Sequence, residues 1–182
     1  MFERFTRSAR AVVVDARDRA RDEDAAEIRE EHLLAALLAA PATGPLLTRL
    51  GIDGGGAAAV LEEIRDARRR GGLSAVDADA LAGLGIDLDA VVGRIESELG
   101  SGAVDSTRHQ GPRRSRLPLS AGSKRTLEAA LRQAVARDDR ELREEHLLLG
   151  LLARRSLVAD ALGGRGVTTA TVLAALPAYS SK

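Results

Sequence analysis

The stretch Ile28-Arg29-Glu30-Glu31-His32-Leu33-Leu34 recurs as Leu142-Arg143-Glu144-Glu145-His146-Leu147-Leu148, 114 positions further along the chain. At the same offset, residues 6–38 align with residues 120–152, and twelve of the 33 aligned positions are identical. Most of the remaining positions keep their polarity, so chance is a poor explanation. A repeat of this kind indicates that the chain is built from two copies of one supersecondary unit.

Each copy is predicted to start with two helices. Thr6 and Ser120 are good N-cap residues at equivalent positions. Small or apolar residues follow each cap at helical spacing: Ala9, Val13, Ala16 and Ala20 in the first copy, and Ser123, Leu127, Ala130 and Ala134 in the second. A polar turn then leads to the Glu-Glu-His-Leu-Leu helix, whose leucine stripe in the first copy ends near Pro41.

A second element also recurs. Residues 47–53 read Leu-Thr-Arg-Leu-Gly-Ile-Asp, and residues 81–87 read Leu-Ala-Gly-Leu-Gly-Ile-Asp. In each, glycine is expected at the C-terminus of a short helix, and the aspartate is expected to cap the next one. The second copy ends in a degraded form of the element, from Leu162 to Leu173.

These patterns predict an all-α fold of two pseudo-symmetric helical repeats with about eight to ten helices, because no stretch shows the sustained period-two alternation of a strand. The chain divides into a first repeat at residues 1–67, a helical insert at 68–100, a linker at 101–118 and a second repeat at 119–176. The linker is rich in Gly, Ser, Pro and Arg. Together these parts are expected to form one compact domain.

The composition is that of a globular protein. Lysine plus arginine and aspartate plus glutamate number 27 each, and hydrophobic residues make up 45% of the chain. A neutral chain has no net field to attract nucleic acid. Phe2, Phe5 and Tyr179 are its aromatic residues, so it also has few platforms on which bases could stack. Nucleic acid is therefore not expected as a partner.

Membrane insertion is not expected either. No apolar run approaches the roughly 18 residues that span a bilayer, and the opening residues lack the apolar stretch of a signal peptide. There is no cysteine, which excludes disulfides and thiolate metal sites. We expect a soluble cytoplasmic protein.

The sequence carries no catalytic or cofactor motif. A phosphate loop needs a Gly-Lys pair, and a nucleophile elbow needs Gly-x-Ser-x-Gly; neither occurs. A helical Glu-x-x-His metal motif fails because Arg29 and Arg143 stand three positions before His32 and His146. We therefore expect no enzyme activity, metal or cofactor, and interpret both histidines as packed first-turn residues with hydrogen-bonded rings.

The opening Met1-Phe2-Glu3-Arg4-Phe5-Thr6, together with the doubled Glu-His-Leu-Leu motif and the Leu-x-x-Leu-Gly-Ile-Asp motif, resembles the N-terminal domain of Clp unfoldases, especially the ClpC type. The resemblance covers nearly the whole chain, with residues 70–100 as an added helical insert. It implies a fold and a binding role without the ATPase modules that follow this domain in Clp unfoldases.

The resemblance gives a role to Glu31 and Glu145. In ClpC-type domains the matching glutamate helps to bind phosphorylated arginine on client proteins, which implies that these carboxylates bind a guanidinium. The family's threonine is replaced by Glu30 and Glu144, and a carboxylate beside a phosphate repels it by about 4 kcal/mol at close range. Unmodified cationic segments suit the doubled carboxylates better. The alternative is that the glutamates only offset the helix dipole.

A second surface is implied near the N-terminus. In the family this region receives adaptor proteins, and cyclic-peptide antibiotics dock there on the actinobacterial ClpC type. Phe2, Phe5, Arg10 and Val13 mark the corresponding groove in this sequence. The alternative is that the phenylalanines only plug the core.

The sequence thus favours a non-catalytic, stand-alone module of the Clp type. Its expected ligands are substrates, adaptors or peptide-like molecules of the Clp unfoldase and protease system, including Clp subunits, arginine-phosphorylated clients and cyclic-peptide antibiotics. It would act as an accessory, a competitor or a sequestering protein. The alternative is a structural or regulatory subunit that packs on an unrelated protein and has no peptide groove.

Overall fold

The computed structural model describes residues 2–73, 75–99 and 117–176, and within these ranges it contains helices and no β-strand. A short 3-10 helix at Phe2–Arg4 precedes ten α-helices. These are α1 (Arg7–Asp22), α2 (Glu30–Ala39), α3 (Gly44–Arg49), α4 (Gly54–Arg69), α5 (Ala75–Gly83), α6 (Leu88–Leu99), α7 (Ala121–Ala136), α8 (Glu144–Leu152), α9 (Leu157–Gly163) and α10 (Thr169–Ala175). The predicted all-α class and helix number are confirmed.

The two predicted repeats are α1–α4 and α7–α10. Helices α1 and α7 are both 16 residues long and start at equivalent positions, behind Thr6 and Ser120. Each cap hydroxyl accepts a hydrogen bond from the backbone N–H three residues later, as predicted. The turns that follow α1 and α7 place Asp24 and Asp138 at φ values of 51° and 57°. Aspartate tolerates this left-handed conformation better than most side chains.

The repeats are joined by two crossed backbone bridges. Phe5 pairs in parallel with Leu142, and Ile28 pairs with Leu119, which are the same contact with the repeats exchanged. The Leu142 N–H donates to the Arg4 carbonyl at 2.7 Å, and its carbonyl accepts from the Thr6 N–H at 2.9 Å. In each repeat, the backbone just before the first helix is therefore hydrogen-bonded to the backbone of the other repeat.

Helix packing follows the same exchange. Helix α1 packs on α2 and α7 packs on α8, and α2 and α8 meet at the centre. The later helices cross over, so that α4 packs on α9 and α10 packs on α3. The largest fully buried side chains are leucines of α2 and α8 with their neighbours: Leu33, Leu34, Leu37, Leu142, Leu147, Leu148, Leu149, Leu151 and Leu162, together with Ile64, His32 and His146.

Glycine allows the closest approach in this core. A Cβ added to Gly150 in α8 would lie 2.5 Å from the Thr126 carbonyl oxygen of α7. Contacts that short are not tolerated between packed atoms. The residue thus sets how closely α7 and α8 can pack.

The predicted glycine turns are also present. Gly51, Gly85 and Gly166 have φ values of 81°, 82° and 77°, and each follows the end of a short helix. The N–H after each glycine bonds to a carbonyl five residues back, the pattern of a Schellman cap. Asp53 then caps α4 through the Gly56 N–H at 2.8 Å, and Asp87 accepts from the Ala90 N–H at 3.0 Å.

Helices α5 and α6 lie within the predicted insert. None of residues 76–98 is buried, and the Arg70 guanidinium at the end of α4 contacts the Asp89 carboxylate of α6 at 2.9 Å. The division of the chain into repeats, insert and linker remains a prediction. Residues 101–116 of the predicted linker lie outside the described residues.

Candidate functional site

The candidate site is the start of α2 and its equivalent at the start of α8. At α2, the His32 ring is 1% exposed. Its Nδ1 accepts the backbone N–H of Arg29 at 2.9 Å, and its Nε2 lies 3.0 Å from a Glu23 carboxylate oxygen. Because Nδ1 accepts, the proton sits on Nε2 and is donated to Glu23. This hydrogen bond is the main reason that the pKa of Glu23 lies below its ordinary value.

The start of α8 has the same arrangement. His146 is fully buried, its Nδ1 accepts the Arg143 N–H at 3.0 Å, and its Nε2 lies 3.0 Å from Asp139. Burial lowers the pKa of His146, because the charged ring would lose its hydration. The interpretation of both histidines as packed first-turn residues with hydrogen-bonded rings agrees with these contacts.

Glu31 holds two arginines of its own chain. Its carboxylate side chain is 12% exposed and lies 2.9 Å from the Arg29 Nε and 2.9 Å from the Arg68 Nη2. The Arg68 Nη2 also donates a hydrogen bond to the second carboxylate oxygen at 3.0 Å. The contact with Arg29 is an ion pair without hydrogen-bond alignment. The predicted guanidinium-binding residue is therefore already paired with a guanidinium from α4.

Glu145, its equivalent, is paired more loosely. Among the described residues its ion pair is with Arg143, at 4.0 Å, and its side chain is 17% exposed. The two predicted guanidinium sites thus differ. Glu31 is in close contact with an arginine of this chain, whereas the ion pair of Glu145 with Arg143 is long.

Glu30 is half-buried against α7. Its Oε1 accepts a hydrogen bond from the Thr126 hydroxyl at 3.2 Å, and its other oxygen fills the space that a side chain at Gly122 would need. Burial raises the pKa of Glu30, and the hydrogen bond from Thr126 and the charges of Arg68 and Arg154 oppose that rise. This carboxylate is therefore engaged within the protein.

Glu144 occupies the equivalent place in the other repeat and is more deeply buried, at 5% exposure. It lines a cavity of about 220 Å³ between α1, the end of α2 and the start of α8. Glu30 and Glu144, where the resemblance implies a threonine, are thus both partly or wholly buried. They do not sit as solvated charges beside Glu31 and Glu145.

A larger cavity, of about 540 Å³, opens beside Glu31. Charged groups of both signs line it: Asp22, Glu23, Asp24, Arg29, Glu31, Glu62, Arg65, Arg68 and Arg69, with Ala25, Ala35, Leu61 and Ile64 as the apolar part. A ligand here would meet arginines as well as carboxylates. This wall composition suits a zwitterionic or extended peptide segment better than a single charge.

The predicted N-terminal groove is only partly assembled at the surface. Phe5 is 4% exposed and belongs to the core, so its ring offers no surface to a ligand in this conformation. Arg10 is exposed, and Val13 is partly buried against the core. The side chain of Phe2 lies outside the described residues. Arg10 and Val13 are therefore the described members of the predicted groove that reach the surface.

Thr6 and Ser120 are committed to capping, each with its hydroxyl on a backbone N–H. Within residues 2–73, 75–99 and 117–176, no cluster of three His, Cys, Asp or Glu side chains is placed to hold a metal ion. In the same part of the chain no helix combines the length and apolarity that a membrane span needs. The arrangement can bind charged groups through carboxylates and arginines.

Sequence reasoning missed three partners in these sites. Arg68 falls at the start of the predicted insert, but in the structure it belongs to the last turn of α4, where it reaches Glu31. Glu23 and Asp139 hold the two histidines from positions that are not equivalent in the repeats, so the alignment could not reveal them. A signal for Arg68 existed in the run of arginines that ends α4, since basic residues favour helix C-termini.

Comparison with known proteins identifies one family and a shared fold. A family model described as the Clp repeat (R) N-terminal domain matches residues 4–72 and 74–164. The N-terminal domain of Hsp104 from Candida albicans shares the fold with a TM-score of 0.59 and 17% identity, over 95% of this chain and 89% of that one.

Two further solved structures share the fold. The N-terminal domain of the caseinolytic-protease-associated chaperone ClpD from Arabidopsis thaliana has a TM-score of 0.53 and 22% identity, over 96% of this chain and 93% of that one. A chain from a malarial protein secretion system has a TM-score of 0.61 and 16% identity, over 94% of this chain and 90% of that one.

Proposed function

The chain belongs to the Clp repeat N-terminal domain family, and from this premise we propose that it is a non-catalytic module that binds protein or peptide ligands of the Clp unfoldase and protease system. Domains of this family mediate the binding of substrates and adaptors. The observation that carries the proposal is the Glu31–Arg68 pair, in which the repeated site already holds a guanidinium. We expect the purified chain to hydrolyse neither ATP nor peptide bonds.

Glu145 is the proposed site for an arginine from outside. Glu31 and Glu145 follow the same N-cap geometry, so a guanidinium that fits one fits the other. The Arg68 guanidinium lies 2.9 Å from the Glu31 carboxylate, whereas the Arg143 guanidinium lies 4.0 Å from the Glu145 carboxylate. An incoming arginine can therefore form the close, bidentate contact that Arg143 does not make.

The form of that arginine follows from the neighbouring charges. Phosphoarginine would need cationic or N–H groups around its phosphate, and Glu30 and Glu144, although turned into the protein, still add negative charge at the start of α2 and α8. Repulsion between carboxylate and phosphate favours unmodified arginine. We therefore propose cationic client segments as the preferred ligands and arginine-phosphorylated clients as weaker ones.

A peptide titration tests this proposal. Matched peptides that carry arginine, phosphoarginine or the neutral analogue citrulline are titrated calorimetrically against the wild type. We expect arginine to bind best, and Glu145→Gln to weaken its binding by at least about tenfold, the scale of a charge-assisted pair. Glu31→Gln is the matched control, because its carboxylate serves Arg29 and Arg68.

In the control variant, peptide affinity should stay within about twofold of the wild type, and the melting temperature should fall because Arg29 and Arg68 each lose an ion pair. Equal binding of the citrulline peptide, or an equal loss of affinity in both variants, would contradict the assignment of Glu145.

The N-terminal groove is proposed as a second surface, for adaptors or cyclic peptides, formed by Phe2, Arg10 and Val13. Phe2→Ala should weaken such binding by about 2 kcal/mol or more, as at an interface hot spot. Phe5→Ala is the matched control, because this buried ring should instead cost about 3–5 kcal/mol of stability. Unchanged binding with a large stability loss in Phe2→Ala would reject the groove.

The alternative, a structural or regulatory subunit on an unrelated protein, has one observation in its favour. Apolar side chains on and between α5 and α6 are exposed, with Val76 at 77% and Leu84 at 78%. An affinity pull-down from native extract separates the two functions. Clp subunits or adaptors in the bound fraction support the proposal, and a single unrelated partner in stoichiometric amount supports the alternative.

A further inference from the structure

Glu144 is the most deeply buried carboxylate in the described part of the chain, and the structure gives it no partner there. Its residue exposure is 5%, its side chain lies on the wall of a cavity, and no hydrogen bond or ion pair joins its carboxylate to another described residue. It is the first residue of α8, so the helix dipole offsets part of its charge. Burial of the residue removes much of the hydration of this charge, so a cation placed in the cavity beside the carboxylate would be stabilised by it.

The cavity that Glu144 lines has the walls for such a group. Small and aliphatic side chains form most of it: Ala11, Val12, Ala36, Ala39, Ala40 and Pro41. Its charged lining residues are both acidic, Glu144 and Asp15, and Asp15 pairs with Arg19 at 2.9 Å. Ser8 adds a hydroxyl. The lining of the cavity is therefore mostly apolar, with one carboxylate from α1 and one from α8.

The equivalent place in the other repeat shows what satisfies this position. There Glu30 accepts from the Thr126 hydroxyl, and the charge of Arg154 lies near enough to lower its pKa. The residue equivalent to Thr126 is Val12, which has no hydroxyl. Ala40 and Pro41, which follow α2, carry no charge, whereas Arg154 follows α8. Glu30 thus has a hydrogen-bond donor and a positive charge nearby within the chain. Glu144 has apolar side chains and a cavity in the corresponding place.

We propose that the cavity between α1, the end of α2 and the start of α8 binds one cationic side chain, an arginine or a lysine, of a peptide ligand, with Glu144 as its counter-charge. The proposal rests on the proposed function and adds a second subsite, distinct from the one at Glu145. The alanine and valine walls contact the methylene stem, and the buried carboxylate contacts the charged head.

The size of the cavity agrees with one side chain. Its volume is about 220 Å³, below the roughly 300–1,000 Å³ of cavities that hold a whole drug-sized molecule. Arginine or lysine from a longer segment fills it while the peptide backbone stays outside, near the exposed rim residues Ser8, Ala11 and Ala39.

A charge-swap titration tests the subsite. Two peptides that differ at one position, lysine or the isosteric and neutral norleucine, are titrated against wild type, Glu144→Gln, Glu145→Gln and Glu30→Gln. We expect the wild type to prefer lysine by at least about tenfold, as expected of a charge pair formed out of water. This preference should disappear in Glu144→Gln and persist in Glu30→Gln, the matched control.

Three outcomes decide the matter. A lysine preference that survives in Glu144→Gln and disappears in Glu145→Gln overturns this subsite and leaves the proposed function intact. Failure of the wild type to bind either peptide overturns both. If Glu144→Gln does not fold, Ala39→Leu is the second variant, because it narrows the cavity from its exposed rim and leaves Glu144 in place. It should weaken the binding of the lysine and norleucine peptides alike. Unchanged affinity for both peptides would overturn the subsite.

Discussion

At the residue scale, His146 couples the fold to pH. The neutral ring accepts the Arg143 N–H and donates to Asp139, and burial keeps its pKa below the ordinary value. In the unfolded chain the ring titrates near pH 6.5. The lowered pKa of His146 therefore stabilises the folded protein fully above about pH 6.5. This contribution to the free energy of unfolding is lost as the pH falls below 6.5 and through the pKa of His146 in the folded protein.

His146→Gln should flatten this dependence. The amide oxygen of glutamine can still accept the Arg143 N–H, as in an ordinary capping box, but it does not titrate. At about pH 7.5 the variant should be less stable by about 1–3 kcal/mol, because Asp139 loses its buried donor. Urea unfolding on either side of about pH 6.5 measures both effects. An equal fall in stability for both proteins would show that another group controls the pH response.

Gly150 lies within α8, where the backbone conformation does not require glycine. Its role is to allow close packing against α7. Gly150→Ala should destabilise the protein by about 1–3 kcal/mol or more, because its Cβ would meet the Thr126 carbonyl at 2.5 Å. Gly163→Ala, at the end of α9, is the matched control; nothing lies within 4 Å of its Cβ, and we expect a change below about 0.5 kcal/mol. Similar effects in thermal melts of both variants would refute the close-packing explanation.

At the scale of elements, α5 and α6 contribute little to the core. None of residues 76–98 is buried, so deleting residues 75–99 should lower the free energy of unfolding by less than about 1 kcal/mol, or about 2–4 °C in melting temperature for a protein of this size. Calorimetry of the deletion variant measures this. A fall of ten degrees or more, which is roughly several kcal/mol, would show that the two helices belong to the repeat core.

Helix starts and ends were predictable because their signals are local. Thr6, Ser120 and Asp53 cap the helices that the sequence assigned to them, and Gly51 ends α3 in the expected left-handed conformation. The Arg68–Glu31 contact was not predictable, because it joins residues 37 positions apart and depends on how α4 packs on α2. The burial of Glu144 likewise depends on α1 and α2 of the other repeat.

At the scale of the whole molecule, the crossed bridges make the two repeats one cooperative unit. Neither repeat can open without breaking hydrogen bonds of the other, because Leu142 bonds to the backbone on both sides of Phe5 and Ile28 bonds to the backbone on both sides of Leu119. We expect a single urea transition for the two repeats. In native-state hydrogen exchange, the Thr6, Ile28, Ser120 and Leu142 amides should exchange with one common free energy.

A different result would divide the molecule. If Thr6 and Leu142 exchanged with one free energy, and Ile28 and Ser120 with a clearly lower one, the two bridges would open independently. The repeats would then act as separate folding units.

Phe5 pairs with Leu142, and their equivalents in the other repeat, Leu119 and Ile28, pair with each other in the same way. This is the pattern of an isologous interface, in which residue i of one partner contacts residue j of the other, and j contacts i. A half-length chain with one repeat would carry both faces of that interface, and two such halves would complete each other as a homodimer. Joining the halves covalently adds no contact to this pairing. It replaces the concentration of a partner by a fixed effective concentration, so that assembly of the core no longer depends on how much protein is present.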